Sequence, residues 1–312
     1  MTIASPLTTQ KTMSTTAWAL LLFLAFIWGG SFVFAKVAVA EIPPFTLVLL
    51  RVGLAAATLW IVCLASGIAM PRTLGAWGAY AVMGLLNNVI AFSLIFTGQQ
   101  EIGASLASIL NGSMPFFTVL VAGLLLADEK FSTRKIIGIA IGFAGVVLII
   151  GPRHLLGLGD HLLSELMLIG AAISYAFASV WGRRFAGQNP MATATGQLTM
   201  STLMMIPISS MIDQPWTLPM PSLATIGSVI ALAVICTAFA YVLFFRILDM
   251  AGATNVSLVT MLVPVSATLL AVPLLGERLE LLTILGFAII TLGLMVLDGR
   301  PVRYLRERLG RI

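Results

Sequence analysis

Charged residues are scarce in this 312-residue chain, where Asp, Glu, Lys and Arg together make up only 9%. A soluble domain usually carries about 25%, whereas hydrophobic residues here reach 59% and the mean hydropathy is +1.06. The shortage of charge excludes an ordinary soluble domain. It predicts an integral membrane protein built mostly from spanning helices, with the lipid bilayer around it.

Cysteine and histidine are almost absent, which excludes several kinds of chemistry. Cys63 and Cys236 lie in separate apolar runs, and His154 and His161 lie in one loop. This distribution does not fit a disulfide framework or a metal site, and no cofactor is expected. The motifs HExxH and GxSxG and a Walker loop are also missing, so an intramembrane enzyme is only a remote alternative.

Ten apolar runs come close to the roughly 20 residues that a membrane-spanning helix needs. They cover 17–39, 45–66, 75–97, 104–127, 134–150, 163–183, 192–212, 222–246, 253–275 and 281–298. No loop between them is long enough for a soluble domain. The chain is therefore predicted to be an all-α integral membrane protein with ten transmembrane helices.

The distribution of Lys and Arg predicts how the chain is oriented. Thirteen of these residues lie on the side of the N-terminus, three lie on the other side, and Arg51 lies inside the second span. Because cytoplasmic loops carry the excess of Lys and Arg, both termini are predicted to be cytoplasmic. Residues 1–16 would be a cytoplasmic tail, and 299–312 a basic tail at the inner surface. The net charge of +5 thus reflects membrane topology and not nucleic-acid binding.

The second half of the chain repeats the first. The matched positions are Gly103/Gly252, Ser108/Ser257, Asn111/Thr260, Pro115/Pro264, Glu129/Glu277, Gly138/Gly286 and Gly145/Gly293, with Trp28/Tyr175, Asn88/Thr237 and Phe92/Tyr241 in other spans. Residues 17–151 and 163–298 are therefore predicted to be two five-helix repeats. Since five is odd, the second repeat is inverted, which is typical of transporters that bind substrate at a central site.

Polar residues and a proline share one face of the fourth span and of the ninth span. Ser108, Asn111 and Pro115 form this stripe in the first repeat, and the second repeat has the matching stripe Ser257, Thr260 and Pro264. Polar groups and broken backbone are tolerated at membrane depth where protein or a water-filled cavity satisfies them. We therefore expect two walls of a central cavity, with hinges at Pro115 and Pro264. The alternative is close packing of helices through small residues.

These stretches resemble the drug/metabolite transporter superfamily, of the EamA-type ten-helix kind. The resemblance rests on FIWGGSFVFAKVAVAEIPPFTLVLLR at 26–51, on GASLASILNGSMPFFTVLVAGLLLADEK from Gly103, and on the matching GATNVSLVTMLVPVSATLLAVPLLGERL from Gly252. It covers about residues 17–298 and implies export or exchange of small metabolites through a central cavity. More narrowly, the chain is similar to YddG-like exporters of aromatic and other apolar amino acids. This likeness implies a multi-pass protein of the bacterial plasma (inner) membrane.

Aromatic and neutral polar side chains at inner positions are the candidate cavity residues. They are Trp28, Ser31, Asn87, Asn88, Phe92, Ser108, Asn111, Tyr175, Ser179, Thr237, Tyr241, Ser257 and Thr260. Aromatic rings can stack on an apolar substrate, and Trp and Tyr can each donate one hydrogen bond. Neutral polar groups suit a zwitterion that must be released again. Helix packing is the alternative role for each ring.

Three charged residues have candidate structural or gating roles. Arg51 is buried by its position in the second span, so it needs an ion pair, with Glu41 or Glu101 near the same face, or a substrate carboxylate. Glu129 and Glu277 precede the fifth and tenth spans, and they are expected to cap those helices. A role in gating the transport path is the alternative. Gly138, Gly142 and Gly145 predict a close contact between helices, either within the chain or across a dimer interface.

Acidic residues are missing from the middle of every predicted span, since all twelve lie in loops, near span ends or in the tail. A proton relay would need one at depth. The missing acids predict transport without proton coupling. Together with the resemblance, the expectation is a monomeric or weakly dimeric exporter of amino acids that works by alternating access. Backbone carbonyls could still coordinate a cation, and proton-coupled multidrug or metabolite efflux remains the alternative function.

Overall fold

The computed structural model describes residues 13–127, 129, 131–155 and 161–299, and most of both predicted tails lies outside these ranges. The described chain forms ten helices in the positions that the apolar runs predict. They are α1 Thr15–Ala38, α2 Pro44–Ala65, α3 Leu74–Glu101, α4 Ala104–Leu125, α5 Thr133–Gly151, α6 Leu162–Phe185, α7 Pro190–Ile212, α8 Leu223–Ala251, α9 Val259–Leu275 and α10 Leu281–Asp298. Within the described ranges, eight are long and apolar enough to cross a membrane, which confirms an all-helical membrane protein.

Side chains at the loop ends explain where several helices begin. The Ser14 hydroxyl accepts a hydrogen bond from the Ala17 N–H at the start of α1. The carboxamide of Asn189 accepts two backbone N–H groups in the same way at the start of α7, where Pro190 follows. Such caps satisfy N–H groups that have no partner inside the helix, and proline is well tolerated in the first turn.

The main helix contacts join one half of the chain to the other. Extensive contacts pair α5 with α10 and α2 with α7, and two further pairs, α1 with α9 and α4 with α6, are equivalent under exchange of the halves. Because each half has five helices, the chain enters the second half from the opposite face. The two inverted halves therefore interlock, and residues from both meet near the centre.

Glycines allow the backbones of α5 and α10 to touch. A Cβ atom added at Gly293 would lie 2.7 Å from the Gly142 nitrogen and 2.8 Å from the Gly138 oxygen. At Gly145 it would lie 2.7 Å from the Gly286 oxygen. The expected close helix contact is thus present, but α10 of the same chain occupies this glycine face, so the dimer alternative for it is wrong.

Both α3 and α8 contain a π-helical segment at corresponding places. These are Leu85–Ile90 in α3 and Ala231–Phe239 in α8. The hydroxyl of Thr237 donates to the carbonyl of Leu232, five residues earlier, at 2.7 Å. The wider π turn displaces the following side chains around the helix axis and is often found at functional sites. The matched Asn88 and Thr237 lie within these segments, and both are buried.

The fourth and ninth spans are interrupted, although not symmetrically. Helix α4 consists of Ala104–Asn111 and Met114–Leu125, with turns at Gly112 and Ser113, so Pro115 lies in the first turn of the second segment. In the ninth span, the short helix Ala253–Val256 precedes α9. Pro264 lies inside α9 and not at that interruption. The predicted symmetric pair of proline breaks is therefore wrong, because proline is accommodated in the first turn of α4 but only deletes one hydrogen bond within α9.

Candidate substrate site

Arg51 is the charged group at the centre of the candidate site. It comes from α2, only 6% of its surface is exposed, and its Nε donates a hydrogen bond to the Thr237 hydroxyl at 3.0 Å. The guanidinium lies over the Phe92 ring, 3.9 Å from the ring centroid. A guanidinium on an aromatic face gains cation–π energy, which partly offsets the cost of burying its charge. Arg51 therefore joins α2 of the first half to α8 of the second.

The expected ion pair of Arg51 with Glu41 or Glu101 is absent from the described structure. Both carboxylates are used elsewhere. Glu41 accepts hydrogen bonds from the backbone N–H and the hydroxyl of Ser222, both at 2.6 Å, and these bonds lower the pKa of the carboxyl from its usual value. Glu101 faces the His161 ring at 3.8 Å. Glu41 lies in the loop between α1 and α2 and Glu101 is the last residue of α3, whereas Arg51 lies inside α2.

A hydrogen-bond network centred on Tyr241 lies beside Arg51. The Tyr241 hydroxyl oxygen accepts from the Asn87 amide at 3.1 Å and from the Gln197 amide at 3.2 Å. Asn87 also donates to Asn88 at 3.3 Å, and Asn88 donates to Ser201 at 2.9 Å. Tyr175 and Tyr241 both lie within electrostatic range of the Arg51 guanidinium. Neutral amides and hydroxyls from α3, α7 and α8 thus form a network next to the buried Arg51.

Aromatic rings extend from this network in two directions. Tyr241 stacks on Phe245 at 6.1 Å between ring centroids, and Phe245 meets Phe244 edge to face at 5.5 Å. Trp28 of α1 packs on Phe244 at 5.7 Å, so it is connected to Tyr241 only through other rings. On the other side, Phe92 stacks on Phe96. The site therefore offers apolar surface next to its polar groups.

The structure brings together Arg51, Asn87, Asn88, Phe92, Tyr175, Thr237 and Tyr241 from the predicted set. Other predicted residues are not in this network. Ser31 is buried in α1, the Ser108 hydroxyl bonds to the Ser105 carbonyl, and Thr260 bonds to the Ser257 carbonyl. Ser179 and Ser257 are exposed. Asn111 differs from these, because its Oδ1 is buried without a hydrogen-bond partner at the end of the first α4 segment.

Two residues of the network were not predicted from the sequence. Gln197 is only 4% exposed and contacts Tyr241, and Ser201 accepts from Asn88. A signal was available, since Gln197 lies in the stretch TGQLT that corresponds to the neighbourhood of Arg51 in the other half. A single amide in a span of Thr, Ser and Met residues does not stand out by composition, so pairing the halves was needed to find it.

Glu277 joins the loop after α9 to the beginning of α4. One carboxylate oxygen accepts the Ala104 N–H at 2.6 Å and the other accepts the Ser105 N–H at 3.0 Å. A Cβ atom at Gly103 would come within 2.7 Å of the carboxylate, so the glycine makes room for it. The expected cap exists, but on a helix of the other half and not on α10.

The matched Glu129 makes different contacts. It accepts from Lys135 at 2.9 Å and from Arg183 at 3.2 Å. The short helix Ala253–Val256, which would be the counterpart of the capped helix, packs against α8 instead. The expectation that Glu129 caps α5 is therefore wrong. The two ends of the molecule are asymmetric, because a carboxylate bridges the halves at the Glu277 end through a helix cap and at the Glu129 end through a side-chain ion pair.

Lys36 and Glu165 are further ionisable groups near the helix ends. The Lys36 ammonium donates to the carbonyls of Gln99 and Gln100 at 2.7 and 3.2 Å. It thereby provides hydrogen-bond donors for carbonyl groups at the C-terminal end of α3. Such a position is favourable for a cation. Glu165 lies in the first turn of α6 and is 4% exposed, which the sequence did not reveal. Within the described ranges, no three His, Cys, Asp or Glu side chains are grouped to hold a metal ion.

Comparison with known proteins agrees with this architecture. An uncharacterized transporter of Archaeoglobus fulgidus is 27% identical over 287 residues, which are 90% of this chain and 96% of that protein. The uncharacterized inner membrane transporter YedA of Escherichia coli K12 is 30% identical over 299 residues, covering 89% and 92%. A solved crystal structure that is 20% identical superposes with a TM-score of 0.63 over 91% of this chain and 97% of that one, which shows a shared fold.

The two halves each match one family. The EamA-like transporter family matches residues 15–151 and residues 162–297, so two consecutive copies of the same unit cover nearly all of the described chain. This agrees with the repeat that the matched glycines, prolines and glutamates predict. The chain belongs to the EamA-like transporter family, within the drug/metabolite transporter superfamily, and is a membrane transporter and not an enzyme.

Proposed function

We propose that this transporter exports amino acids with aromatic or other apolar side chains across a bacterial plasma membrane. The observation that carries the proposal is the hydrogen-bond network of Tyr241 with Asn87 and Gln197 between the halves, next to the buried Arg51. Polar groups of this kind fit the head of an amino acid, and the neighbouring rings fit its side chain. Apart from Arg51 these partners are neutral, which keeps a zwitterion bound weakly enough for release.

Alternating access is the proposed mechanism. With both termini in the cytoplasm, Glu277 and Gly103 lie at the outer face, and Glu129 lies at the inner face. The Glu277 cap supports a state closed toward the outside. The interruptions at Gly112 and before Val259 then serve as the bending points, since the helix segments on either side are separate. Pro115 and Asn111 belong to the first of these points.

Counterflow with the purified protein tests the proposed substrate class. Proteoliposomes loaded with unlabelled phenylalanine should take up external labelled phenylalanine transiently and well above the level of protein-free liposomes. Leucine and tryptophan should compete, whereas lysine and glutamate should not, because an extra charge cannot be solvated beside the aromatic rings. If a lipophilic cationic dye exchanges and none of the amino acids does, the proposed substrate class is wrong and multidrug efflux takes its place.

Coupling is tested separately, because one observation favours the alternative of proton antiport. Glu165 is a buried carboxylate, and buried acids can carry protons in transporters. It lies in the first turn of α6, however, away from the Tyr241 network. We expect that a pH gradient alone will not drive accumulation of labelled phenylalanine in sealed vesicles. Export down a tenfold concentration ratio is already favourable by about 1.4 kcal/mol. Accumulation that a protonophore abolishes would favour antiport.

A further inference from the structure

The buried guanidinium of Arg51 has donors to spare. Among the described residues, its polar contact is the bond from Nε to the Thr237 hydroxyl, and its other contacts are the faces of Phe92 and Phe96. A guanidinium has five N–H donors in a planar fork that fits a carboxylate with two parallel bonds. The terminal nitrogens therefore form an unused site for a planar anion at the meeting point of α2 and α8.

Tyr241 and Gln197 also have unused hydrogen-bonding capacity. Its hydroxyl oxygen accepts two amide N–H groups, and its own hydrogen has no acceptor in the described part of the chain. The Oε1 atom of Gln197, by contrast, is an acceptor that is buried without a partner. Native proteins satisfy nearly all buried polar atoms, so an exception needs an explanation such as a missing ligand. One side of the network thus offers donors, and Gln197 offers an acceptor.

We propose that Arg51 binds the carboxylate of the substrate, that the Tyr241 hydroxyl donates a further bond to it, and that Gln197 Oε1 accepts from the ammonium group. The inference rests on the proposed amino-acid export and deepens it. It assigns the carboxylate of the zwitterion to Arg51 and Tyr241, and the ammonium group to Gln197. The carboxylate dominates recognition, because Arg51 supplies a full charge, whereas Gln197 supplies one neutral acceptor.

A purely structural role for Arg51 explains less of this arrangement. An arginine that only held helices together would be expected to have its charge paired, since an uncompensated buried charge is costly. Here the acidic residues nearest in the sequence contact other groups, since Glu41 accepts hydrogen bonds from Ser222 and Glu101 lies 3.8 Å from His161. Among the described residues the Nε atom of Arg51 donates to Thr237, and no hydrogen bond engages its two terminal nitrogens. The site therefore lacks an anion that a substrate carboxylate supplies.

Competition with truncated ligands tests the proposal on the unaltered protein. Phenylalanine counterflow is measured in proteoliposomes with 3-phenylpropionate, which lacks the amine, or phenethylamine, which lacks the carboxylate, as competitor. We expect 3-phenylpropionate to compete at least about 10-fold better than phenethylamine, since hydrogen bonds to a charged group correspond to about 10- to 100-fold in affinity. Equal competition, or better competition by phenethylamine, overturns the assignment of Arg51.

Variants then attribute the preference to individual residues. Arg51→Met should raise the apparent KM for phenylalanine by about 10- to 100-fold and remove the advantage of 3-phenylpropionate. Arg51→Lys should recover part of it, because the charge remains but the planar fork is lost. Gln197→Met should raise the apparent KM for phenylalanine and leave the competition by 3-phenylpropionate unchanged. Arg246→Met is the matched control, since Arg246 is an exposed arginine on α8 outside the network.

The outcomes separate this inference from the proposed function. Absence of counterflow with every amino acid in the wild-type protein counts against amino-acid export itself. Phenylalanine counterflow with an unchanged KM in a folded Arg51→Met protein leaves amino-acid export standing and overturns the role of Arg51. If Arg51→Met does not fold, the ligand ranking of the wild type and the selectivity of Gln197→Met decide, because neither depends on removing the buried charge.

Discussion

Replacing Glu277 by Gln should shift the transporter from a state closed at the Glu277 end toward one that is open there. The carboxylate accepts two backbone N–H groups at the beginning of α4, at 2.6 and 3.0 Å. A hydrogen bond to a charged group contributes about 1.5–3 kcal/mol, and an anion at a helix N-terminus adds to this. A neutral amide retains a single weaker acceptor. We expect about a 10- to 100-fold change in the ratio of the two states.

Thiol labelling from outside can measure this shift. The native Cys63 and Cys236 are first replaced by Ala, and Ala107, which is fully buried in the first segment of α4, is replaced by Cys. A membrane-impermeant reagent should label this cysteine much faster after Glu277→Gln. Gly103→Ala should act in the same direction, because the added methyl group would collide with the carboxylate.

Glu280→Gln serves as the matched control for Glu277→Gln. It removes the same charge from the same loop, and Glu280 is exposed at the start of α10 without a side-chain cap bond. Its labelling rate should equal that of the parent. If Glu277→Gln and Gly103→Ala also label at the parent rate and transport normally, the cap only supports the local loop structure and does not hold the end closed.

The sequence predicted the helices and the repeat because both depend on local composition and on comparison within the chain. Long apolar runs set the spans, and matched pairs such as Asn88 with Thr237 located the interior of α3 and α8. These two residues do lie buried in the network or next to it. Helix positions and the inward facing of this matched pair were therefore available from hydropathy and symmetry.

Tertiary contacts explain what the sequence missed. The π turns of α3 and α8 change the register of the following side chains, and no simple sequence pattern predicts such turns. Glu277 was expected to cap the helix that follows it, yet it caps a helix about 170 residues earlier, since the contact spans 173 and 172 positions. Pro264 was expected at a break that the structure places before Val259. In each case the sequence allows several local conformations or contacts, and the packing of one half against the other determines which of them forms.

Replacing Gly293 by Leu should destabilise the protein more than any other single change considered. The α10 backbone touches α5 at this point, and even a Cβ atom would lie 2.7 Å from the Gly142 nitrogen and 2.9 Å from its Cα. Backbone atoms of a packed helix cannot move aside as a flexible side chain can. Overpacking in such a place costs about 1–3 kcal/mol and sometimes more. We expect a clearly lower midpoint of thermal unfolding in detergent and a lower yield of folded protein.

Gly227→Leu provides the matched control for the effect of adding a leucine side chain to a helical glycine. A Cβ atom at Gly227 in α8 meets no atom within 4 Å, so the side chain has open space. The helix propensity of leucine is also more favourable than that of glycine, by up to about 1 kcal/mol. The Gly227→Leu protein should unfold at or above the temperature of the parent. An equal midpoint for Gly293→Leu and the parent would mean that α5 and α10 can separate at little cost, and that the glycine contact does not stabilise the joined halves.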